Sequence, residues 1–160
     1  MLHGLFIRLH LSHLEKSVAI YQNTLRDIPD DALTTYRDSG NGWTVLEVMA
    51  HMRDFETVFY ERARLTVNED NPPLPFPDPD TLATEKNYNA QNPADVIAEW
   101  VKLRNDHHAF LSQRTEADWE RVAQHPTRGA FTLNDQILLT AWHDTNHIEQ
   151  ILRILTEKQA

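Results

Sequence analysis

The sequence predicts an all-α protein: a four-helix bundle with long crossover connections. Three observations carry that expectation. Four stretches repeat apolar residues at spacings of three and four, the period of one helix face. Two of the connections are long and rich in helix-breaking residues. There is no internal repeat, no Gly-rich phosphate loop and no strand-like alternation of useful length. Four amphipathic helices in 160 residues suit one core, so residues 1–160 are expected to form a single domain. A long link can cross the bundle, so simple up-down-up-down order is not forced.

The first helix is expected over about Ile7 to Leu25, where Ile7, Leu11, Leu14, Val18, Tyr21 and Leu25 share one face. A short helical turn follows at about Asp30 to Tyr36, and the DSGNG cluster at 38–42 breaks the chain. The second helix opens at Thr44, with Glu47 completing a capping-box pattern, and runs to about Val67. Val48, Met52, Phe55 and Phe59 form its apolar face, and His51 shares that side. The stretch NPPLPFPDPD at 71–80 holds five of the eight prolines and is expected to be extended, with TLATEKNYNA prolonging it. It reads as a rigid crossover; a Pro-rich recognition ligand is the alternative. Asn92-Pro93 opens the third helix, whose core side carries Val96, Trp100, Leu103, His107, Phe110 and Leu111. EADWERVAQHPTRGAFT is read as a second connection, closed by Pro126 and Gly129. The fourth helix begins near Thr132, where Asp135 ends a weaker capping pattern, and runs to about Thr156.

Composition excludes several classes. The net charge of -9 opposes nonspecific binding to nucleic acid or to an anionic membrane surface. No run approaches the roughly 20 apolar residues of a membrane span, and the N-terminal stretch is broken by His and Arg, unlike a signal peptide. The absence of cysteine removes disulfides, thiolate nucleophiles and Cys-ligated zinc, and fits a cytoplasmic protein.

Nine histidines make their placement informative. His143 and His147 lie one turn apart on a face continued by Leu139, Ile151 and Ile154. Imidazoles set in an apolar stripe are costly unless their nitrogens are satisfied. Each either bonds to a neighbour or joins a metal site, and the pair alone does not choose. Bundles build metal sites from side chains of facing helices. His51 supplies a third imidazole if the second and fourth helices are neighbours. Three histidines with open positions form a catalytic zinc arrangement, which nickel, cobalt or iron would also suit.

The segments GWTVLEVMAHMRDFE and WHDTNHIEQI resemble the DinB/YfiT-like superfamily, whose pattern sets a Trp-Thr/Ser and His segment on helix two and His-x-x-x-His with a following Gln on helix four. The matching positions are Trp43, Thr44, His51, His143, His147 and Gln150. The resemblance spans nearly the whole chain. It implies a four-helix bundle, often a homodimer, holding a divalent metal on His51, His143 and His147. Asp144 stands where Glu is frequent in the family, and Glu149 where Gly is. Members resemble metal-dependent hydrolases, S-transferases using low-molecular-weight thiols, and thiol-dependent isomerases, so the fold does not fix the reaction.

The expected activity is therefore divalent-metal-dependent, with zinc or nickel first and iron, cobalt or manganese as alternatives. It would activate water or a low-molecular-weight thiol, for hydrolysis or S-transfer on a small electrophilic substrate. No catalytic residue beyond the ligands is assigned. The rival is a non-catalytic metal-binding or stress-associated bundle acting through dimerisation. His107 reads as a satisfied core side chain, with a fourth ligand or proton shuttle as its alternatives. His108 and His125 are expected to face solvent, and His10 and His13 only flank the first helix. Trp100, Trp119 and Trp142 are expected to pack, and Asp144 and Glu149 to point away from the ligands, Asp144 still within reach of an imidazole.

Overall fold

In a computed structural model, residues 2–157 are described. The elements in order are α1 (Leu2–Leu25), α2 (Asp30–Thr35), a 3₁₀ turn (Asp38–Gly40), α3 (Val45–Asn68), α4 (Pro79–Glu85), a 3₁₀ turn (Tyr88–Ala90), α5 (Pro93–Ser112), α6 (Glu116–Trp119), strands β1 (Val122–His125) and β2 (Gly129–Thr132), and α7 (Leu133–Glu157). The four long helices are α1, α3, α5 and α7. Both α5 and α7 pack against α1 and against α3, which leaves α1 and α3 on a diagonal. Two helices consecutive in sequence thus face each other across the bundle, an order that simple up-down-up-down winding does not produce.

The helix starts follow their caps. The Thr44 hydroxyl accepts from Glu47 N while the Glu47 carboxylate accepts from Thr44 N, closing a capping box. Asn92 caps α5, with Pro93 at its first position. Thr132 and Asp135 bond reciprocally at the start of α7.

Two connections differ from expectation. The TLATEKNYNA stretch is not extended: Asp78 accepts from Thr81 N and Pro79 takes the first helical position, so α4 forms there. Proline obstructs a helix interior but suits its first turn, and only the prolines before Asp78 lie in extended chain. The second connection contains an antiparallel hairpin, with Val122 opposite Thr132 and His125 opposite Gly129. Its inward residues on β1 are Ala123 and His125, too few and too polar to register as an apolar alternation. Gly129 turns the hairpin at a φ of +74°, a region open to glycine. The proline-rich segment runs beside β1, with Leu74 N donating to Gln124 O and Gln124 N to Pro72 O. It is a pinned crossover, as its proline content favours.

The apolar core has two parts. One gathers Tyr21, Leu46, Met49, Met52, Trp100 and Ile151; the other gathers Leu14, Ala63, Leu111, Trp119, Leu133 and Ile137. Between them, at mid-height, all four long helices contribute buried polar residues: Ser17, Glu56, Arg104, His107 and Asp144. No helix among the described residues is long and apolar enough to cross a membrane.

Candidate metal centre

The α3–α7 contact that sequence reasoning required is present, and it brings His51, His143 and His147 together. His51 follows from the N-capped start of α3; its ring packs between Trp43 and Phe55, with centroids at 5.0 and 4.3 Å. His143 and His147 are successive turns of α7, their rings 4.4 Å apart. Nε2 of His51 lies 3.0 Å from Nε2 of His143, and one nitrogen of each of the three rings lies within 4.8 Å of the others.

All three imidazoles are held neutral. Burial pushes His51 down to about 3, and the neighbouring His147 adds to the effect. Burial, then His147 and His51, push His143 well below its ordinary value. Burial lowers His147 too, against a hydrogen bond to Gln150 that favours its charged form. One nitrogen of each neutral ring lies close to the others, and a shared cation could take the place of the proton between His51 and His143.

The orientation of His147 is set from outside. Its Nδ1 lies 2.8 Å from Gln150 Oε1, an acceptor, so Nδ1 carries the proton and Nε2 is left free. Gln150 is itself oriented, since its Nε2 donates to Asp38 Oδ2 at 2.9 Å. Asp38 sits in the 3₁₀ turn before α3 and pairs with Arg153, whose guanidinium holds that carboxyl below the usual range. A chain of Arg153, Asp38 and Gln150 thus fixes one tautomer. The sequence pointed to Gln150; it gave no sign of Asp38, which lies 112 residues away in the chain.

The donor set fits a divalent ion. Two nitrogens bound to one ion at about 2.1 Å each lie roughly 3.0–3.4 Å apart, and the His51–His143 pair is already at 3.0 Å. Zinc and the first-row ions that favour imidazole share this preference.

The other residues singled out from sequence sort as follows. His107 is a core side chain: Nδ1 lies 2.7 Å from Glu56 Oε1, and the ring stacks on Tyr60. His10 bonds to the Phe6 carbonyl and His13 to Thr145, and neither belongs to the group of three imidazoles. His125 does not face solvent; it is buried between Phe76 and Phe131, because the hairpin turns it inward. His108 is half-buried rather than exposed. Trp100 and Trp119 pack, whereas Trp142 is 60% exposed, since it lies on the outer side of α7.

Asp144 bonds no imidazole. Its Oδ2 accepts from Arg104 Nη1 and Ser17 Oγ, and its Oδ1 from Arg104 Nη2. Both oxygens are engaged, which removes it as a base at this site. Arg104, buried with it, also binds Glu56. Sequence reasoning missed this cluster, although a signal existed. Arg104 lies at i+4 from Trp100 and i−3 from His107, and Glu56 at i+4 from Met52, charges set inside an apolar period.

With the geometry in place, comparison with known proteins adds the following. The family model described as the DinB superfamily matches residues 13–151. A protein of Oceanobacillus iheyensis, named as a candidate metal-dependent hydrolase, is 28% identical over 149 residues, which are 92% of this chain and 85% of its own. Bacillus subtilis YfiT, named in the same way, is 29% identical over 143 residues, 88% of this chain and 79% of its own. The solved structure of YfiT, a four-helix bundle of unusual topology, superposes with a TM-score of 0.88 at 26% identity, covering 96% of this chain and 87% of that one. The crystal structure of a mycothiol-dependent maleylpyruvate isomerase superposes at 0.73 over 93% of this chain and 67% of that one. At 13% identity, that last likeness is one of fold alone.

Proposed function

This chain belongs to the DinB superfamily, and on that premise we propose that it is a metal-dependent enzyme whose His51, His143 and His147 hold one divalent ion. The observation that carries the proposal is the convergence of three neutral imidazole nitrogens within 4.8 Å of one another. Relatives named as candidate metal-dependent hydrolases support it. Three protein ligands leave positions open, the mark of a catalytic rather than a closed structural site.

A divalent ion held by His51, His143 and His147 would supply Lewis acidity toward a water or a small-molecule thiol near neutral pH. The chain supplies the rest. Gln150 and Asp38 keep the His147 Nε2 lone pair aimed inward. Trp43, Phe55 and Phe59 wall the imidazoles and lower the local dielectric. The reaction is hydrolysis, or S-transfer from a low-molecular-weight thiol, on a small electrophilic substrate. With no cysteine in the chain, any thiol comes from a small molecule. Zinc or nickel is the expected ion, and the expected form is a cytoplasmic homodimer.

Metal analysis tests the reading. Protein purified from zinc- and nickel-supplemented medium should carry about one ion per chain, and His51→Ala or His143→Ala should carry almost none. Wild type without stoichiometric metal sinks the proposal in favour of a non-catalytic bundle. If metal is present, turnover of ester or amide substrates without thiol, against electrophiles with thiol, separates the two reactions. Gln150→Ala should keep the fold yet weaken metal affinity about 10- to 100-fold, the usual cost of losing a partner of a ligating His. Competition with a chromophoric chelator reads that change.

A further inference from the structure

Arg62 is a buried cation that the fold leaves without a counter-ion. It is 2% exposed, yet no carboxylate among the described residues pairs with it. Other arginines are treated differently: buried Arg104 is held by Glu56 and Asp144, and half-buried Arg53 by Asp54 and Glu99. The Arg62 Nε donates to the Pro75 carbonyl at 2.8 Å, but Nη2 is buried with no partner. Leaving a buried charged donor unmatched is costly.

A second unmatched donor lies beside it. His125 is 3% exposed, and its Nδ1 accepts from Thr127 N at 3.3 Å. The ring proton therefore sits on Nε2, which is buried and has no partner. Both groups border the Phe76 ring: the Arg62 guanidinium carbon lies 5.7 Å from its centroid and the His125 ring 5.1 Å. Arg128, on the hairpin, adds a second positive charge beside the neutral His125, and Asp135 lines the same cleft as Arg128. Burial, then the charge of Arg128, pulls Arg62 down to about 10, and burial with both arginines lowers His125. The two arginines lie close together in a chain of net charge -9.

The cluster adjoins the imidazoles. His51, Phe55, Phe59 and Arg62 follow one face of α3. The Phe59 ring meets His143 edge-on at 5.0 Å and carries the Arg62 guanidinium at 5.7 Å, so a single phenyl ring separates Arg62 from the metal centre. On the hairpin side, a cleft of about 310 Å³ opens between Arg128, Phe131, Asp135, Leu138, Leu139 and Trp142, with Phe131 packing on the His125 ring behind it.

We propose that Arg62 and His125 form an anion subsite and that the substrate is a small organic carboxylate with an apolar body. Its carboxylate is bound by these two donors, its body lies among the phenyl rings, and its electrophilic carbon is presented to the imidazoles. Arg128 draws the anion in from solvent. The substrate role rests on the metal-centre reading above; the subsite itself does not.

The test uses the full chain, stripped of metal by a chelator, with phenylacetate and its neutral analogue phenylacetamide as probes in titration calorimetry. Phenylacetate should bind saturably in the millimolar range, and phenylacetamide about tenfold more weakly or not at all. Arg62→Met, which keeps the apolar stem, should weaken phenylacetate about tenfold or more. Arg128→Gln lies on the surface and cannot disturb the core; it should weaken binding a few-fold, with a shallower salt dependence. That variant carries the test if Arg62→Met fails to fold. Equal binding of acid and amide, indifference to both substitutions, or no saturable binding of phenylacetate overturns the subsite. Because metal is absent, the two proposals fail separately. A chain that takes up no metal but binds phenylacetate through Arg62 retains the subsite and loses the metal centre. A chain that binds metal but not phenylacetate does the reverse.

Discussion

Replacing Arg104 by Met should destabilise the protein by about 3–5 kcal/mol, the cost of leaving buried carboxylates without their cation. Arg104 is 1% exposed and is gripped from two sides: Nη2 binds Glu56 at 2.6 Å and Nη1 binds Asp144 Oδ2 at 2.5 Å. Its presence holds Glu56 down to about 2 despite complete burial, His107 helping. With the guanidinium gone, Glu56 retains only His107, and Asp144 only Ser17. Methionine fills the volume of the stem, so the loss is electrostatic rather than a cavity. Adding Glu56→Gln and Asp144→Asn to the variant should recover a large part of the loss, since no buried charge is then unpaired. Urea denaturation of the three proteins checks both statements. A single variant within about 1 kcal/mol of wild type would show that the cluster does not act as described.

Acid should destabilise the metal-free protein well above the pH at which its carboxylates protonate. The folded state keeps His51, His143 and His147 neutral, whereas the unfolded chain takes up protons near pH 6.5. Below that point the unfolded state binds more protons, so stability falls as pH falls. The loss starts near pH 6.5 and, for His51, continues down to about 3. Each imidazole contributes up to about 1.4 kcal/mol per pH unit. His143 and His147 are partly exposed, which discounts their share. A loss of about 3 kcal/mol between pH 7 and pH 5 is expected. Glu56 contributes in a lower window: its stabilisation is present above about 4.5 and lost as pH falls toward about 2. His51→Phe, seated between Trp43 and Phe55, should flatten the upper part of the curve while abolishing metal uptake. Denaturation midpoints in chelator at pH 7 and pH 5 measure this, and equal midpoints for wild type would refute it.

The four long helices and the three imidazoles were legible in the sequence for local reasons. Caps such as Thr44–Glu47 and Asn92–Pro93 act over a single turn, and an apolar period needs only its own segment. His51, His143 and His147 stood out because each interrupts such a period. Partners drawn from distant segments were not legible. Asp38 reaches Gln150 across the chain, and nothing near either residue announces the other. The hairpin escaped because its burial alternates over four residues with alanine and histidine inward. That same error sent His125 to the surface and hid the surroundings of Arg62. Arg104 and Glu56 were visible as charges on apolar faces, but only contact with Asp144 and Ser17 gives them meaning.

The buried polar layer at mid-height has a consequence for the alignment of the helices. Apolar faces interdigitate almost as well after a slip of one turn, about 5.4 Å along the axis. The layer does not tolerate such a slip: Arg104 would leave Glu56 and Asp144 for a methionine or an isoleucine, with three charges stranded in hydrocarbon. Each helix supplies one tooth, Ser17 on α1, Glu56 on α3, Arg104 on α5 and Asp144 on α7. The set works as a ratchet pawl that permits a single vertical setting of α3 against α7. Asp144 adjoins His143 in the chain, and His51 precedes Glu56 by little more than a turn, so the setting that engages the pawl is also the one that brings the three imidazoles level.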